Sequence, residues 1–160
     1  MDEGAPSEET KLYKVIQIDV LTASPDIFSS EEESSRGHYA EIPLLNFELE
    51  NGENFLMTNI PVSIAIEIAR KLNGVEGGDS RLTIAELIPE VCVVDNVVID
   101  SIIPFSNAYQ ATVEIRLEGF SELQRFQMIP SHATLLALIS GADVYVSNNV
   151  LRITESKTKS

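Results

Sequence analysis

Between Gln110 and Glu118 apolar and polar residues alternate without a break. Ala111, Val113, Ile115 and Leu117 are set against Gln110, Thr112, Glu114, Arg116 and Glu118. A period of two places the apolar set on one face of a pleated strand, so this segment predicts a half-exposed strand of an antiparallel sheet. Lys11 to Thr22 reads the same way, with Ile16, Ile18 and Val20 on one face. A further strand carries Leu45, Phe47 and Leu49 inward and Asn46, Glu48 and Glu50 outward. Asn51-Gly52 follows it, and both positions tolerate positive φ, so a hairpin with Glu53 to Asn59 as the return strand is expected. Val91 to Ile103 are rich in β-branched residues and predict a strand, followed by a turn at Pro104 to Asn107. Gly119 begins a second hairpin turn with Glu122 to Met128 returning, and Val150 to Ile153 predict a last short strand.

The spacing changes to 3–4 residues in three places. Pro61 suits the first position of a helix, where a missing N–H costs nothing. Ile64, Ile68 and Leu72 line one face of that helix, with Ala65 and Ala69 beside them, and Asn73-Gly74 stops it. A shorter helix is expected over Leu82 to Ile88, capped by Asp79 or Ser80 and bent or ended by Pro89. In the stretch Ile129 to Ser147, Ser131 predicts a cap. Leu135, Leu136, Leu138 and Ile139 form a broad apolar face, and Ala133 and Ala137 permit close approach. Gly141 ends the helix in the left-handed conformation, and Asp143 to Val146 form a strand. Phe55 to Leu72 and Phe126 to Ile139 echo each other: strand, Met, Ile-Pro, then a helix with two alanines four apart. Chance and an ancient duplication of a strand–strand–helix unit explain this echo equally well. The expected fold is α+β, a mainly antiparallel or mixed sheet with about three helices. Residues 1–10 read as a disordered acidic tail, 11–153 as a single domain and 154–160 as a polar tail. Its core is expected to hold Ile64, Ile68, Leu72, Val113, Ile115, Leu136, Ala137 and Val144.

Composition narrows the class. Of 160 residues, 44% are hydrophobic, enough for a real core, and no apolar run reaches the ~20 residues that span a bilayer. The acidic start has no basic region before an apolar run, so no secretory signal is expected. Cys92 is the only cysteine, which excludes an intrachain disulfide and fits a reducing, cytoplasmic setting with a buried, inert thiol. Residues 1–35 hold nine acidic residues against Lys11 and Lys14, which is half of the net charge of −14. The Glu31-Glu-Glu33 run lies between serine pairs, so residues 1–10 and Glu31 to Arg36 are expected to be mobile. The alternative reading of that run is an acidic mimic that docks on a basic partner. The negative charge repels nucleic-acid phosphates, so a nucleic-acid enzyme needs a local basic patch. Linear order offers only scattered basic residues and the adjacent pair Arg70-Lys71. Helices rich in alanine and leucine on a small sheet leave an apolar edge to cover, which predicts a homodimer.

Candidate chemistry gathers at the second helix-start segment. Pro130, Ser131, Ala133, Ala137, Gly141, Ala142, Tyr145, Val146, Ser147, Val150 and Leu151 resemble the signature of the bifunctional nuclease (DNase/RNase) domain family. Ala65 and Ile66 match the first helix more loosely, and the order of elements agrees from about Leu12 to Ile153. The resemblance implies that family's fold and divalent-metal (Mg²⁺ or Mn²⁺) cleavage of DNA or RNA. Ile129, His132, Val62 and Asn59 stand where the family has arginine, aspartate, glutamate and glycine. Metal-dependent phosphodiester cleavage relies on hard oxygen ligands, and these replacements remove the obvious ones. His132 remains as a candidate general base or metal ligand, against a surface or capping role. Asn59 and Ser131, at the two helix starts, are candidate phosphate- or ligand-binding residues, because helix N-termini favour anions. His38 is expected to be exposed, and no spacing argues that Asp95, Asp100 and Glu86 cluster. A phosphate-binding glycine loop, zinc spacing and a nucleophile elbow are missing from the sequence. Two expectations follow: a nuclease-family protein acting on nucleic acid, or a non-catalytic protein- or ligand-binding module on the same fold.

Overall fold

The fold is described from a computed structural model, over residues 9–23, 42–75, 80–106 and 108–152. Most of the expected acidic tail, the Glu31 to Arg36 segment, His38, Asp79 and the C-terminal tail lie outside the described residues. The elements in chain order are β1 (Leu12–Ala23), β2 (Ile42–Leu49), β3 (Asn54–Met57), α1 (Val62–Leu72), α2 (Ile84–Val91), β4 (Cys92–Ile102), β5 (Tyr109–Leu117), β6 (Leu123–Met128), α3 (Pro130–Ser140) and β7 (Asp143–Ser147). The strands form one mixed seven-stranded sheet in the order β3-β2-β1-β7-β4-β5-β6. All neighbours are antiparallel except β4 and β7, which run parallel. The architecture is therefore α+β.

The order is symmetric about β7. β1, β2 and β3 run outward on one side, β4, β5 and β6 on the other, and each outer hairpin leads into a helix that starts at an Ile-Pro pair, just after Pro61 in α1 and at Pro130 in α3. The two halves are stitched by β1. Its first residues, Leu12 to Lys14, pair with β7, and from Val15 onward it pairs with β2 through an irregularity between Val15 and Gln17. Local chemistry sets the turns. Gly52 takes φ 90° between β2 and β3, a conformation that a side chain resists. Gly141 takes φ 72° as the residue that stops α3.

α3 is the central helix. It packs against α1, α2 and the strands β4, β5 and β7. Ala133 and Ala137 are fully buried, as are Leu135 and Leu136 to within 2%. A helix covered on this many sides is apolar around most of its surface, and the small residues let its backbone come close to its neighbours. α1 covers β1 and β2 with Ala65 and Ile68 buried. The core is one connected cluster running from Leu45, Phe47 and Phe55 through Ile68 and Leu136 to Val97 and Val113.

Several expectations are corrected. Leu72 is not core: it is 38% exposed at the C-terminal end of α1, on the rim of a cleft between that helix and β1. Ile64 and Ile115 are half-buried, whereas Ile68, Val113, Leu136, Ala137 and Val144 are buried. α2 is capped by Thr83 and not by Ser80. Thr83 accepts the Glu86 N–H at 3.2 Å while Glu86 accepts the Thr83 N–H at 3.2 Å, a reciprocal box that starts the helix at Ile84. Nor does Pro89 end it, because the helix runs on to Val91. Proline there removes one bond, to the Ala85 carbonyl, close enough to the end for the last turn to survive. Residues 148–152 are helical rather than extended. Ser147 accepts the Asn149 N–H at 3.2 Å and turns the chain, and Val150 and Leu151 are buried from a helix.

The outer polar positions are tied across strands. Asp95 accepts from Arg116 at 2.8 Å, which holds the guanidinium above its ordinary range. Arg125 lies 3.8 Å from Glu114. Asp100 accepts the Thr112 hydroxyl at 2.7 Å. Asp95, Asp100 and Glu86 therefore have separate structural partners and do not form a cluster. Cys92 is buried, its thiol donates to the Ile88 carbonyl at 3.1 Å, and burial pushes its pKa up. A thiol held protonated is a poor nucleophile. Among the described residues no helix is long and apolar enough to cross a membrane.

Candidate functional site

Two chain crossings from sheet to helix meet at one small cleft. Thr58 to Pro61 link β3 to α1, and Ile129 links β6 to α3. Asn59, Ile60, Tyr109, Ile129 and Ser131 are among the residues that line this cleft, whose volume is about 90 Å³. Asn59 is one of two described non-glycine residues with positive φ, at 60°. Asparagine tolerates the left-handed conformation better than most side chains, which lets the backbone turn sharply into α1.

Ser131 is not the cap of α3. Ile129 occupies the cap position with extended backbone, and Pro130 is the first helical residue. Proline's fixed φ suits that place, and it displaces the serine one residue into the helix. Neither α1 nor α3 has a side-chain cap. In α3 the Thr134 hydroxyl donates to the Pro130 carbonyl at 2.7 Å and the Ala133 N–H donates to the Ile129 carbonyl at 3.0 Å. The Ser131 hydroxyl has no hydrogen-bond partner although the residue is only 2% exposed. A buried hydroxyl without a partner costs free energy, about 1–3 kcal/mol from mutational data. This orphan sits at an uncapped helix N-terminus, buried just behind the small cleft that the residue lines. Together these features favour a small anion or a phosphate oxygen.

The three candidates from sequence are not brought together. Asn59 and Ser131 share the cleft, but His132 lines a different one, between α1, α2 and α3. Successive helix residues point about 100° apart, so neighbours in sequence serve different surfaces. The second cleft has a volume of about 330 Å³ and is walled by Ile64, Ala85, Ile88, Met128 and Leu136. A third, of about 210 Å³, adjoins it and is lined by Arg70, Lys71 and Arg81. Linear reading singled out Arg70-Lys71 but not Arg81, which the α1–α2 connection brings to the same place. Val62 and Ile129, at the two helix starts, are 59% and 62% exposed. Among the described residues no group of three or more His, Cys, Asp or Glu side chains could hold a metal ion. Compared with known protein-family models and with curated protein sequences, the chain matches none.

Proposed function

We propose that this chain is a bifunctional-nuclease-family (DNase/RNase) domain that takes a phosphodiester of DNA or RNA at the Asn59–Ser131 cleft and cleaves it weakly. The observation that carries this reading is the unpartnered Ser131 hydroxyl at the uncapped start of α3. The Pro130-Ser131 start, the Gly141-Ala142 stop and the Tyr145-Val146 strand that resemble the family lie on the consecutive elements α3 and β7. Backbone N–H groups and one hydroxyl can hold a phosphate oxygen. One exposed helix terminus contributes about 0.3–1 kcal/mol to holding a charge, so binding is weak. The described residues do not fit a protein-held Mg²⁺ or Mn²⁺, and no step here depends on one. The test is a metal-panel cleavage assay on single- and double-stranded DNA and RNA. Wild type should cleave slowly. Ser131→Ala should lower the rate about tenfold, the worth of one hydrogen bond to a charged group. His132→Ala, facing the other cleft, should leave it unchanged. Equal rates in wild type and Ser131→Ala would place the activity elsewhere.

The second reading is a non-catalytic ligand-binding module on the same fold. It is favoured by the missing metal-ligand group among the described residues and by exposed apolar Val62 and Ile129 at the helix starts. No cleavage by wild type with any metal would select it.

A homodimer belongs to either reading. β6 is an outermost strand whose Leu123 and Phe126 are 40% and 49% exposed, an edge suited to pairing with a second copy. Light scattering at micromolar concentration should give twice the monomer mass; a clean monomer would remove the dimer. A single buried free thiol is consistent with a reducing, cytoplasmic location, which is part of the same proposal.

A further inference from the structure

The basic cleft and the apolar cleft are two ends of one groove. Glu67, Thr83 and Leu135 line both. Arg70, Lys71 and Arg81 stand at one end, while Ile64, Ala85, Ile88 and Met128 wall the other. The gathering of cations is notable in a chain of net charge −14 with eleven Lys and Arg in all. Elsewhere Lys14, Arg116 and Arg125 are engaged with Asp143, Asp95 and Glu114. Arg70 and Lys71 form no ion pair among the described residues and are exposed at the end of α1. Part of their role is to face the negative end of that helix. That role needs no groove, and it does not explain an apolar continuation. The size falls in the range of small-molecule sites, which are mostly apolar with a few polar groups that fix orientation.

We propose that this groove binds a small amphiphilic monoanion, with a carboxylate or sulfonate head at Arg70, Lys71 and Arg81 and an apolar body against Ala85, Ile88 and Met128. A single charge is favoured over a phosphate dianion because Glu67 and Glu86 also line the basic end. Among the described residues of that lining, three cations stand against two carboxylates. The site is distinct from the Asn59–Ser131 cleft, and its test does not depend on cleavage.

The probe is anilinonaphthalene sulfonate, a fluorescent monoanion with an apolar body, titrated into the full-length protein. Binding should be saturable at one site per chain, weaken with salt, and be reversed by decanoate but not by an alkylammonium of the same chain length. Arg70→Glu with Lys71→Glu should weaken it on the order of tenfold or more, because like charge opposes the head. Ala85→Trp should abolish it by filling the apolar end. Circular dichroism and melting of both variants are measured alongside, and unchanged dye binding in two folded variants would overturn the proposal. So would displacement by the alkylammonium as well as by decanoate, or stronger displacement by adenosine monophosphate than by decanoate.

Discussion

Phe47→Ala should destabilise the domain by about 3–5 kcal/mol, the usual cost of removing a buried aromatic ring and leaving a cavity. Phe47 is 0% exposed in the middle of β2, opposite Ile18 of β1 and Phe55 of β3. Its ring lies 6.0 Å from that of Phe55, which in turn meets Tyr109 edge-on at 5.1 Å. This aromatic chain ties the first hairpin to the start of β5, on the far side of β7. The loss is therefore not local to β2. Domains of this size are stable by about 5–15 kcal/mol, so the change removes about a fifth or more of the total. Urea unfolding should show a lower midpoint with an unchanged slope. Phe47→Leu, which keeps most of the volume, should cost clearly less. A drop below 1 kcal/mol for the alanine variant would mean that the ring is not part of the core.

The strands were legible because their pattern has one period and one buried face. Gln110 to Glu118 alternates over nine residues, and Ala111 and Val113 are buried as that alternation requires, but Leu117 at the strand's end is 43% exposed. In β1 the expected face failed at Ile16, which is 60% exposed where the register shifts between Val15 and Gln17. Both helix starts were legible from proline. Misreadings occurred where two rules competed for the same residue. Ser131 has the chemistry of a cap, but Pro130 claims the first helical position and moves the cap to Ile129. Thr83-x-x-Glu86 is a capping signal visible in the sequence, and it outranks Asp79 and Ser80 once seen. Val150 and Leu151 are too short a run for periodicity to separate strand from helix. Of the candidate site, the two helix starts were readable, but their meeting at one cleft was not. The position of Arg81 beside Arg70 and Lys71 depends on how α2 packs on α3, which no linear spacing encodes. The orphaned Ser131 hydroxyl was also invisible, since partners are a property of the folded chain.

Val113→Asp should leave little folded protein at neutral pH. Val113 is 0% exposed in β5, opposite Val97 of β4 and Phe126 of β6, on the face of the sheet that belongs to the core. An ionised carboxylate there lacks a cation, and an unpaired buried charge costs several kcal/mol even after relaxation. The sign of the pH dependence follows from the same burial. Desolvation raises the folded-state pKa of the new aspartate above its unfolded value of about 3.9. The penalty is thus smallest below the unfolded value. It grows by about 1.4 kcal/mol for each pH unit above it, until the folded pKa is reached. Circular dichroism should therefore show more folded variant at pH 4 than at pH 7, the reverse of what acid does to ordinary surface carboxylates. Glu118→Gln, just beyond the end of the same strand and exposed, should change stability by less than about 0.5 kcal/mol. If Val113→Asp folds as well as Glu118→Gln at pH 7, β5 presents its other face to the core, and the alternation that organises this half of the sheet has been read in the wrong register.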